Sequence, residues 1–164
     1  MTIWRPQPTK IIGIGTNYRR HAEEMGRSIP PVPKVFLKPP SALIGHGEDI
    51  VLPTSSSCVH HEAELGVVIG RRCKDVRPEE AAEVIAGYCC VNDVTARDHQ
   101  KADGVFARAK GFDSFCPAGP ALVQGLDVRD LAVECWVNGS QRQNGRTSDL
   151  IFDVPQLIAF VSSI

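Results

Sequence analysis

The sequence predicts one α+β domain in which many short strands and a few short helices form a roll or barrel-like sheet system. Three observations lead to this fold class. Short apolar runs are separated by turns rich in glycine and proline, helical patterns are few and short, and no regular strand–helix alternation indicates a doubly wound parallel sheet. Because 164 residues can bury one hydrophobic core, we predict a single domain over residues 1–164.

Strands are predicted where apolar residues run together or alternate before a turn. They cover residues 10–15, 34–38, two short pieces within 41–53, and residues 62–70, 87–95, 121–125 and 131–139. The segment NGRTSDL, residues 144–150, is predicted to be a turn.

Helices are predicted in three places by apolar spacing and end signals. Residues 17–25 have Asn17 as the expected N-cap and Gly26 just beyond the end. Residues 78–86 begin with proline and acidic residues, which favour a helix start. The final segment DVPQLIAFVSS has an apolar stripe formed by Val154, Leu157, Ile158 and Val161. Residues 96–110 are predicted to be a loop with a short helix.

Composition and charge exclude several functional classes. The formal net charge of -1 gives no global attraction to nucleic acid or to an acidic membrane. No apolar run approaches the ~18 residues that span a bilayer, and the first ten residues lack the apolar core of a secretory signal. The cytoplasm is therefore the expected compartment. GIGTNY at 13–18 is too short for a dinucleotide fingerprint and no GxxxxGK[ST] motif occurs, so we expect no nucleotide cofactor.

Six cysteines are present, but their spacing contains no CxxC pair and no zinc-type ligand set. Cys89, Cys90 and Cys135 lie in apolar, strand-like stretches, where a free cysteine behaves as a small hydrophobe. We predict reduced, structural thiols, as expected for an intracellular protein.

Glu62 and Glu64 are the first candidate site residues. Residues two apart in a strand share a face, so their carboxylates repel each other and gain from a divalent cation. Asp93 ends a second apolar strand, and three carboxylates suit Mg²⁺ or Mn²⁺. The alternative is a solvated strand end whose acids pair with nearby arginines, namely Arg71, Arg72 or Arg97.

His21 and Glu24 form a second candidate group, because residues three apart on a helix share a face. A carboxylate can orient an imidazole so that it acts as a general base; the alternative is a surface pair. His60 and His61 precede the acidic strand and could add ligands, although such a flanking pair is more often an exposed strand edge or a support for other ligands. Lys110 and Arg97 could bind a substrate carboxylate, or they could be surface charges.

Six segments taken together resemble the fumarylacetoacetate hydrolase family over roughly residues 10–162. These segments are, in chain order, GIGTNYRRHAEEMG, KVFLKPPSALIG, HEAELGVVIGRR, AGYCCVNDVTARDHQ, AKGFDSFCPAGP and VNGSQRQNGRTSDLIF. The resemblance implies a mixed β-roll fold, a Mg²⁺ or Mn²⁺ site and a homodimer.

The resemblance also implies roles for individual residues. The metal ligands would be Glu62, Glu64 and Asp93. The dyad that activates water or moves a proton would be His21 and Glu24, with Lys110 as the active-site lysine. The substrate-contacting residues would be Arg97, Gln100 and Lys38. The residue before Glu62 is commonly aromatic in the family and is His61 here, which changes the local electrostatics.

The implied substrate is a small keto acid. We expect C–C hydrolysis of an acylpyruvate-type 1,3-diketo acid through a metal-bound enolate. The alternatives are decarboxylation or isomerisation of a 2-oxo-diacid such as oxaloacetate or a hydroxymuconate-type acid, and a non-catalytic subunit. Family members usually continue beyond the position of Ile164, so the domain is expected to be C-terminally incomplete, with the stripe of the last helix uncovered and the chain associated into a dimer.

Overall fold

Ten short strands and four short α-helices follow one another along the part of the chain that the structure describes. The structure is a computed structural model that describes Trp4, residues 6–24, Gly26 and residues 28–164, without the side chain of His21. The strands are β1 (Ile11–Gly15), β2 (Lys34–Lys38), β3 (Leu43–Ile44), β4 (Val59–His60), β5 (Ala63–Ile69), β6 (Ile85–Asn92), β7 (Thr95–Ala96), β8 (Cys116–Val123), β9 (Ala132–Val137) and β10 (Ser140–Arg146). The helices are α1 (Arg19–Glu24), α2 (Arg97–Asp103), α3 (Ala107–Lys110) and α4 (Val154–Ser162).

The strands form several small sheets, as the predicted strand-rich α+β class requires. The largest has four strands in the order β3-β8-β6-β5, with β3 parallel to β8 and the other pairs antiparallel. The pairs β1–β2, β4–β7 and β9–β10 are antiparallel two-stranded sheets. In the four-stranded sheet β5 is an edge strand, so one side of its backbone has no strand partner within that sheet.

The last helix is covered, which corrects one expectation. Its start is fixed by Asp153, whose side chain accepts a hydrogen bond from the amide of Gln156 at 2.9 Å. Val154 and Ile158 are buried together with Ala81 and Val84 in one core cluster. The prediction that the apolar stripe is left uncovered is therefore wrong for Val154 and Ile158, because residues 78–83 pack against that face.

Several predicted elements differ from those observed. Residues 78–83 form a 3₁₀ helix instead of an α-helix through 86, because Ile85 already pairs with Ile69 in the sheet. Within 41–53 only β3 is a strand, and the amide of Val51 donates instead to the Ser114 hydroxyl at 2.8 Å. The predicted strand at 121–125 is the end of the longer β8. Residues 144–146 belong to β10, whose polar composition has no apolar alternation to reveal it.

Asn17 does not cap the first helix. Its side-chain amide donates to the carbonyl of Phe152 at 3.0 Å and accepts from the amide of Phe152 at 2.9 Å. Helix α1 is accordingly shorter than predicted and begins at Arg19. Met25, the last residue of the predicted helix, lies outside the described residues, whereas Gly26 has the expected left-handed backbone, with φ of +60°.

All six cysteines lie among the described residues and are free thiols, as predicted. Cys89 is buried and Cys135 is half-buried, whereas Cys90 is exposed because alternate residues of β6 face opposite sides. Among the described residues, none of the helices has both the length and the apolar character needed to cross a membrane.

Candidate active site

A cavity of about 310 Å³ brings together most of the residues that the sequence singled out. The predicted site residues that line it are Glu24, Glu62, Glu64, Arg97, Gln100 and Lys110. Asp93 and Lys38 lie behind this lining and are joined to it by ion pairs. The backbone of His21 lies in α1 beside the cavity-lining Glu24, while its side chain lies outside the described part of the structure.

The three predicted carboxylates meet because two antiparallel strands end at the same edge. Glu62 immediately precedes β5, Glu64 is its second residue, and Asp93 follows β6 directly. Ala63 pairs with Asn92 across the strands, and the amide of Asp93 donates to the carbonyl of Glu62 at 2.8 Å. Glu62 and Glu64 both face the cavity, as the two-residue spacing predicted.

The ammonium group of Lys110 holds two of these carboxylates together. It donates to Glu62 Oε2 at 2.7 Å, to Asp93 Oδ2 at 2.5 Å and to the hydroxyl of Thr95 at 2.8 Å. Lys110 is the last residue of α3 and only 3% exposed. A buried ammonium requires such partners, and all three of its hydrogen atoms find one here.

Two further cations complete the charge balance of the cluster. Arg97 Nη2 lies 2.5 Å from Glu62 Oε1, and Lys38 Nζ lies 2.6 Å from Asp93 Oδ1. Burial alone would raise the pKa of Glu62, but Lys110 and Arg97 outweigh it and hold the pKa below its ordinary value. Burial lowers the pKa of Lys38, against the attraction of Asp93.

Glu64 has a different environment from the other two carboxylates. Burial, and then the negative charges of Glu62 and Asp93, raise its pKa to about 8. Tyr18 lines the same cavity as Glu64, and burial, followed by the negative charge of Glu64, raises the pKa of Tyr18 above its ordinary value.

The three carboxylates offer the oxygen ligands that a divalent cation such as Mg²⁺ or Mn²⁺ prefers. Three carboxylates converge, and one of them is buried against the other two at a cost that a cation would remove. Within the residues that the structure describes, no three acidic, histidine or cysteine side chains stand in a metal-ligating arrangement. Lys110 instead occupies the space between Glu62 and Asp93.

The ion pairs include one arginine contact that the solvated-edge interpretation supposed, but they place it at the cavity. Arg97 does pair with Glu62, as the solvated-edge alternative supposed, whereas Arg71 pairs with Glu83 on the surface. The Glu62–Arg97 pair faces the cavity, with side chains only 19% and 23% exposed. The acids therefore belong to a cavity wall and not to a solvated strand end.

The histidines before the acidic strand take separate positions. His61 lines the cavity, whereas His60 is exposed and its Nδ1 accepts from Arg97 Nε at 3.4 Å. Arg97 also donates to Gln100 Oε1 at 3.0 Å. The guanidinium is thus oriented by His60, Gln100 and Glu62 together.

Two aromatic side chains that sequence reasoning did not single out form the apolar wall. Phe36 and Phe106 make an edge-to-face pair with ring centres 5.1 Å apart, and Lys110 Nζ lies 5.1 Å from the centre of the Phe36 ring. The Phe36 ring lies directly over Gly13, where a Cβ atom would come within 2.1 Å of it. Phe36 stands two residues before Lys38 on β2, a spacing that places both on one face and could have revealed it.

Asp98 anchors the helix that carries Arg97 and Gln100. It accepts from the hydroxyl of Ser56 at 2.6 Å and from the amides of Ser57 and His99 at 2.9 Å each. These hydrogen bonds, that of Ser56 first, lower the pKa of Asp98 to about 2.

A pH dependence of stability follows from the lowered pKa of Asp98. A depressed carboxyl pKa stabilises the fold above the ordinary value of 3.8, and this contribution is lost as the pH falls through about 2. We expect Asp98→Asn to lower the melting temperature by a constant amount above about pH 5 and by progressively less between about pH 4 and pH 2. Thermal melts of both proteins across this range check it, and a pH-independent difference would contradict the assignment.

Removing the buried ammonium is expected to destabilise the fold. Lys110→Met keeps the length of the side chain but leaves Glu62 and Asp93 facing each other without their shared cation. The expected loss in the free energy of unfolding is about 3–5 kcal/mol, measured by urea denaturation. Lys101→Met, at an exposed position of α2, is the matched control and should stay within about 0.5 kcal/mol of the wild type. A Lys110→Met protein as stable as the control would show that the cluster does not need this cation.

Comparison with known proteins agrees with this fold. The family model described as the C-terminal part of fumarylacetoacetate (FAA) hydrolase matches residues 10–164. The chain therefore belongs to the fumarylacetoacetate hydrolase family, which confirms the resemblance found in its motifs.

Three relatives indicate the range of the family around this chain. The solved structure of 5-carboxymethyl-2-hydroxymuconate delta-isomerase from Mycobacterium smegmatis is 48% identical, with a TM-score of 0.92 over 99% of this chain and 65% of that one. Maleylpyruvate hydrolase from Sphingobium sp. SYK-6, solved with manganese(II) and pyruvate, is 36% identical, with a TM-score of 0.80 over 96% of this chain and 55% of that one. A mitochondrial oxaloacetate decarboxylase from Dictyostelium discoideum is 40% identical over 94% of this chain and 74% of its own length.

The relatives are thus a hydrolase, an isomerase and a decarboxylase, and several are longer than this chain. The chain spans 67% and 63% of the length of two archaeal relatives that are each 49% identical to it.

Proposed function

We propose that this chain carries the catalytic centre of a Mg²⁺- or Mn²⁺-dependent hydrolase that cleaves a C–C bond in a small acylpyruvate-type 1,3-diketo acid. The observation that carries the proposal is that Glu62 and Asp93 share the ammonium of Lys110 close to the buried Glu64, at and just behind the wall of a cavity. Burying such a cluster of charged groups is costly, and catalysis is a common reason for proteins to retain one.

In this proposal the ligands of the divalent cation are Glu62, Glu64 and Asp93. When bound, the cation supplies Lewis-acid polarisation of the keto and carboxylate oxygens of the substrate. The maleylpyruvate hydrolase relative, solved with manganese(II) and pyruvate, supports an oxygen-liganded cation and a keto-acid substrate.

The remaining residues bind the substrate and move protons. Arg97 and Gln100 line the cavity as a hydrogen-bonded pair and provide donors for a substrate carboxylate. The ammonium of Lys110 adds positive charge where negative charge develops as the C–C bond breaks. His21 and Glu24 activate the attacking water, with Glu24 orienting the imidazole. Lys38, which the resemblance placed at the substrate, is 3% exposed behind Asp93, so its proposed contribution is to hold that carboxylate.

A second candidate function is decarboxylation or isomerisation of a 2-oxo-diacid. The decarboxylase and isomerase relatives favour it, and all three reactions develop negative charge on the same keto acid unit. A non-catalytic subunit that only binds the cation or a partner is the third candidate.

One set of assays separates these candidates. Steady-state turnover is measured with an acylpyruvate, with oxaloacetate and with a hydroxymuconate-type acid, each with and without Mg²⁺ or Mn²⁺. Metal-dependent cleavage of the acylpyruvate in preference to the other two is expected. Preference for either other substrate selects the second candidate, and Mn²⁺ binding without turnover of any of them selects the third.

We also propose that the protein is a homodimer. Several large apolar side chains are exposed on and near β2, among them Val32 at 55% and Leu37 at 61%. Complete burial of a fully exposed side chain of this kind contributes roughly 1.5–3 kcal/mol, and these two side chains would gain roughly half of that. Sedimentation at low micromolar concentration is expected to show a dimer or a higher oligomer, and a stable monomer would overturn this proposal.

A further inference from the structure

We propose that Gln143 is a positioning residue that fixes the backbone between Glu62 and Glu64 and thereby sets the spacing of their carboxylates. The inference rests on the proposed function, in which these carboxylates bind a divalent cation. Gln143 lies on the β9–β10 hairpin, which is far from both glutamates in sequence.

Both polar atoms of the Gln143 side-chain amide form hydrogen bonds with one residue, Ala63. Its Oε1 accepts from the amide of Ala63 at 2.8 Å, and its Nε2 donates to the carbonyl of Ala63 at 2.7 Å. Ala63 is the residue between the two glutamates. A pair of hydrogen bonds of this kind reproduces what a neighbouring strand would offer, and it fixes both the position and the orientation of that peptide segment.

The backbone around Ala63 is held from two sides. On the β6 side, the amide of Glu62 donates to Asn92 Oδ1 at 2.9 Å, and the carbonyl of Glu62 accepts from the amide of Asp93 at 2.8 Å. Because successive peptide groups of a strand point in opposite directions, the polar groups of Ala63 face the outer edge of β5. Gln143 forms hydrogen bonds with these groups, so the backbone around Ala63 is held on the outer edge of β5 as well as on the β6 side.

A local irregularity directs Gln143 towards this edge. The pairing of β9 with β10 shifts register between Gln141 and Gln143, and a bulge of this kind re-aims the side chains around it. Gln141 is exposed, whereas Gln143 is half-buried and lines the cavity. The residue type also fits, because an amide offers a donor and an acceptor without a further negative charge beside Glu62 and Glu64.

The test compares Gln143→Ala with Gln141→Ala, a matched change on the same strand. Mn²⁺ affinity is measured by calorimetry, and the fold of each variant is checked by near-ultraviolet circular dichroism. We expect Gln143→Ala to weaken Mn²⁺ binding by about 10–100-fold, the range for residues that orient metal ligands, and Gln141→Ala to leave it unchanged. Gln143→Glu, which keeps the size and the acceptor, provides a second variant if the alanine protein does not fold, and the same loss is expected.

A metal-free measurement keeps this inference separate from the proposed function. Hydrogen exchange at the amide of Ala63 is expected to be about tenfold faster in Gln143→Ala, with the amides that β5 pairs with β6 unchanged. If the wild-type chain binds no Mn²⁺, the proposed function fails, and hydrogen exchange still decides whether Gln143 clamps Ala63. Unchanged exchange at Ala63, or wild-type Mn²⁺ affinity in a folded Gln143→Ala protein, would overturn the inference. A lower melting temperature with unaltered affinity would likewise overturn it, since it indicates a structural role alone.

Discussion

Replacing both Glu62 and Glu64 by glutamine is expected to abolish Mn²⁺ binding. Each substitution keeps the shape of the side chain and removes a negative charge, so the double variant retains one of the three proposed carboxylate ligands. Lys110 and Arg97 stay in place beside position 62, and Lys38 stays beside Asp93. A site with one carboxylate and three fixed positive charges repels a divalent cation, so the loss should be complete in calorimetry.

The control for this experiment carries the same charge change elsewhere. Glu79→Gln combined with Glu83→Gln alters two exposed acids of the 3₁₀ helix and should leave Mn²⁺ binding unchanged. Stability gives an independent reading, because a ligand at about 100 times its Kd stabilises the folded state by about 2.7 kcal/mol. Mn²⁺ should raise the melting temperature of the wild type and of the control, but not of the double glutamine variant. Binding that survives in the double variant would refute the assigned ligands.

The parts of the site that the sequence predicted are those governed by local periodicity. The spacing of Glu62 and Glu64 predicts a shared face, and both face the cavity. The end of an apolar strand predicts Asp93 as a third carboxylate of the site. Val154 and Ile158 were recognised as one helix face in the same way, and both are buried. Each of these inferences needs only the repeat of a strand or a helix.

The parts that the sequence did not predict depend on contacts between distant residues. Lys110 reaches Glu62 across 48 positions and Asp93 across 17, and Gln143 reaches Ala63 across 80. No local pattern specifies such a partner. Strand β10 adds a second difficulty, because most of its residues are exposed and polar, so the alternation that reveals a half-buried strand is missing. The pair of hydrogen bonds between Gln143 and Ala63 is therefore apparent only from the three-dimensional position of the β9–β10 hairpin beside β5.

Replacing His21 by alanine is expected to lower kcat by ~10²–10⁴-fold, the contribution of a positioned general base, while Mn²⁺ affinity changes little. The expectation rests on helix α1, which carries His21 and Glu24 three residues apart and places Glu24 in the cavity wall. Removing the imidazole takes away the proposed proton acceptor for the attacking water but none of the proposed metal ligands, so catalysis and metal binding should separate.

A matched control lies on the same helix. Glu23 lies two residues from His21 on this helix, is exposed and is not among the residues that line the cavity. Glu23→Ala should therefore keep kcat within about twofold, which shows that loss of helix stability does not explain the effect of His21→Ala. Steady-state kinetics at saturating Mn²⁺ and calorimetry on the same preparations provide both readings. A His21→Ala protein with nearly wild-type kcat would remove the histidine from the proton transfer.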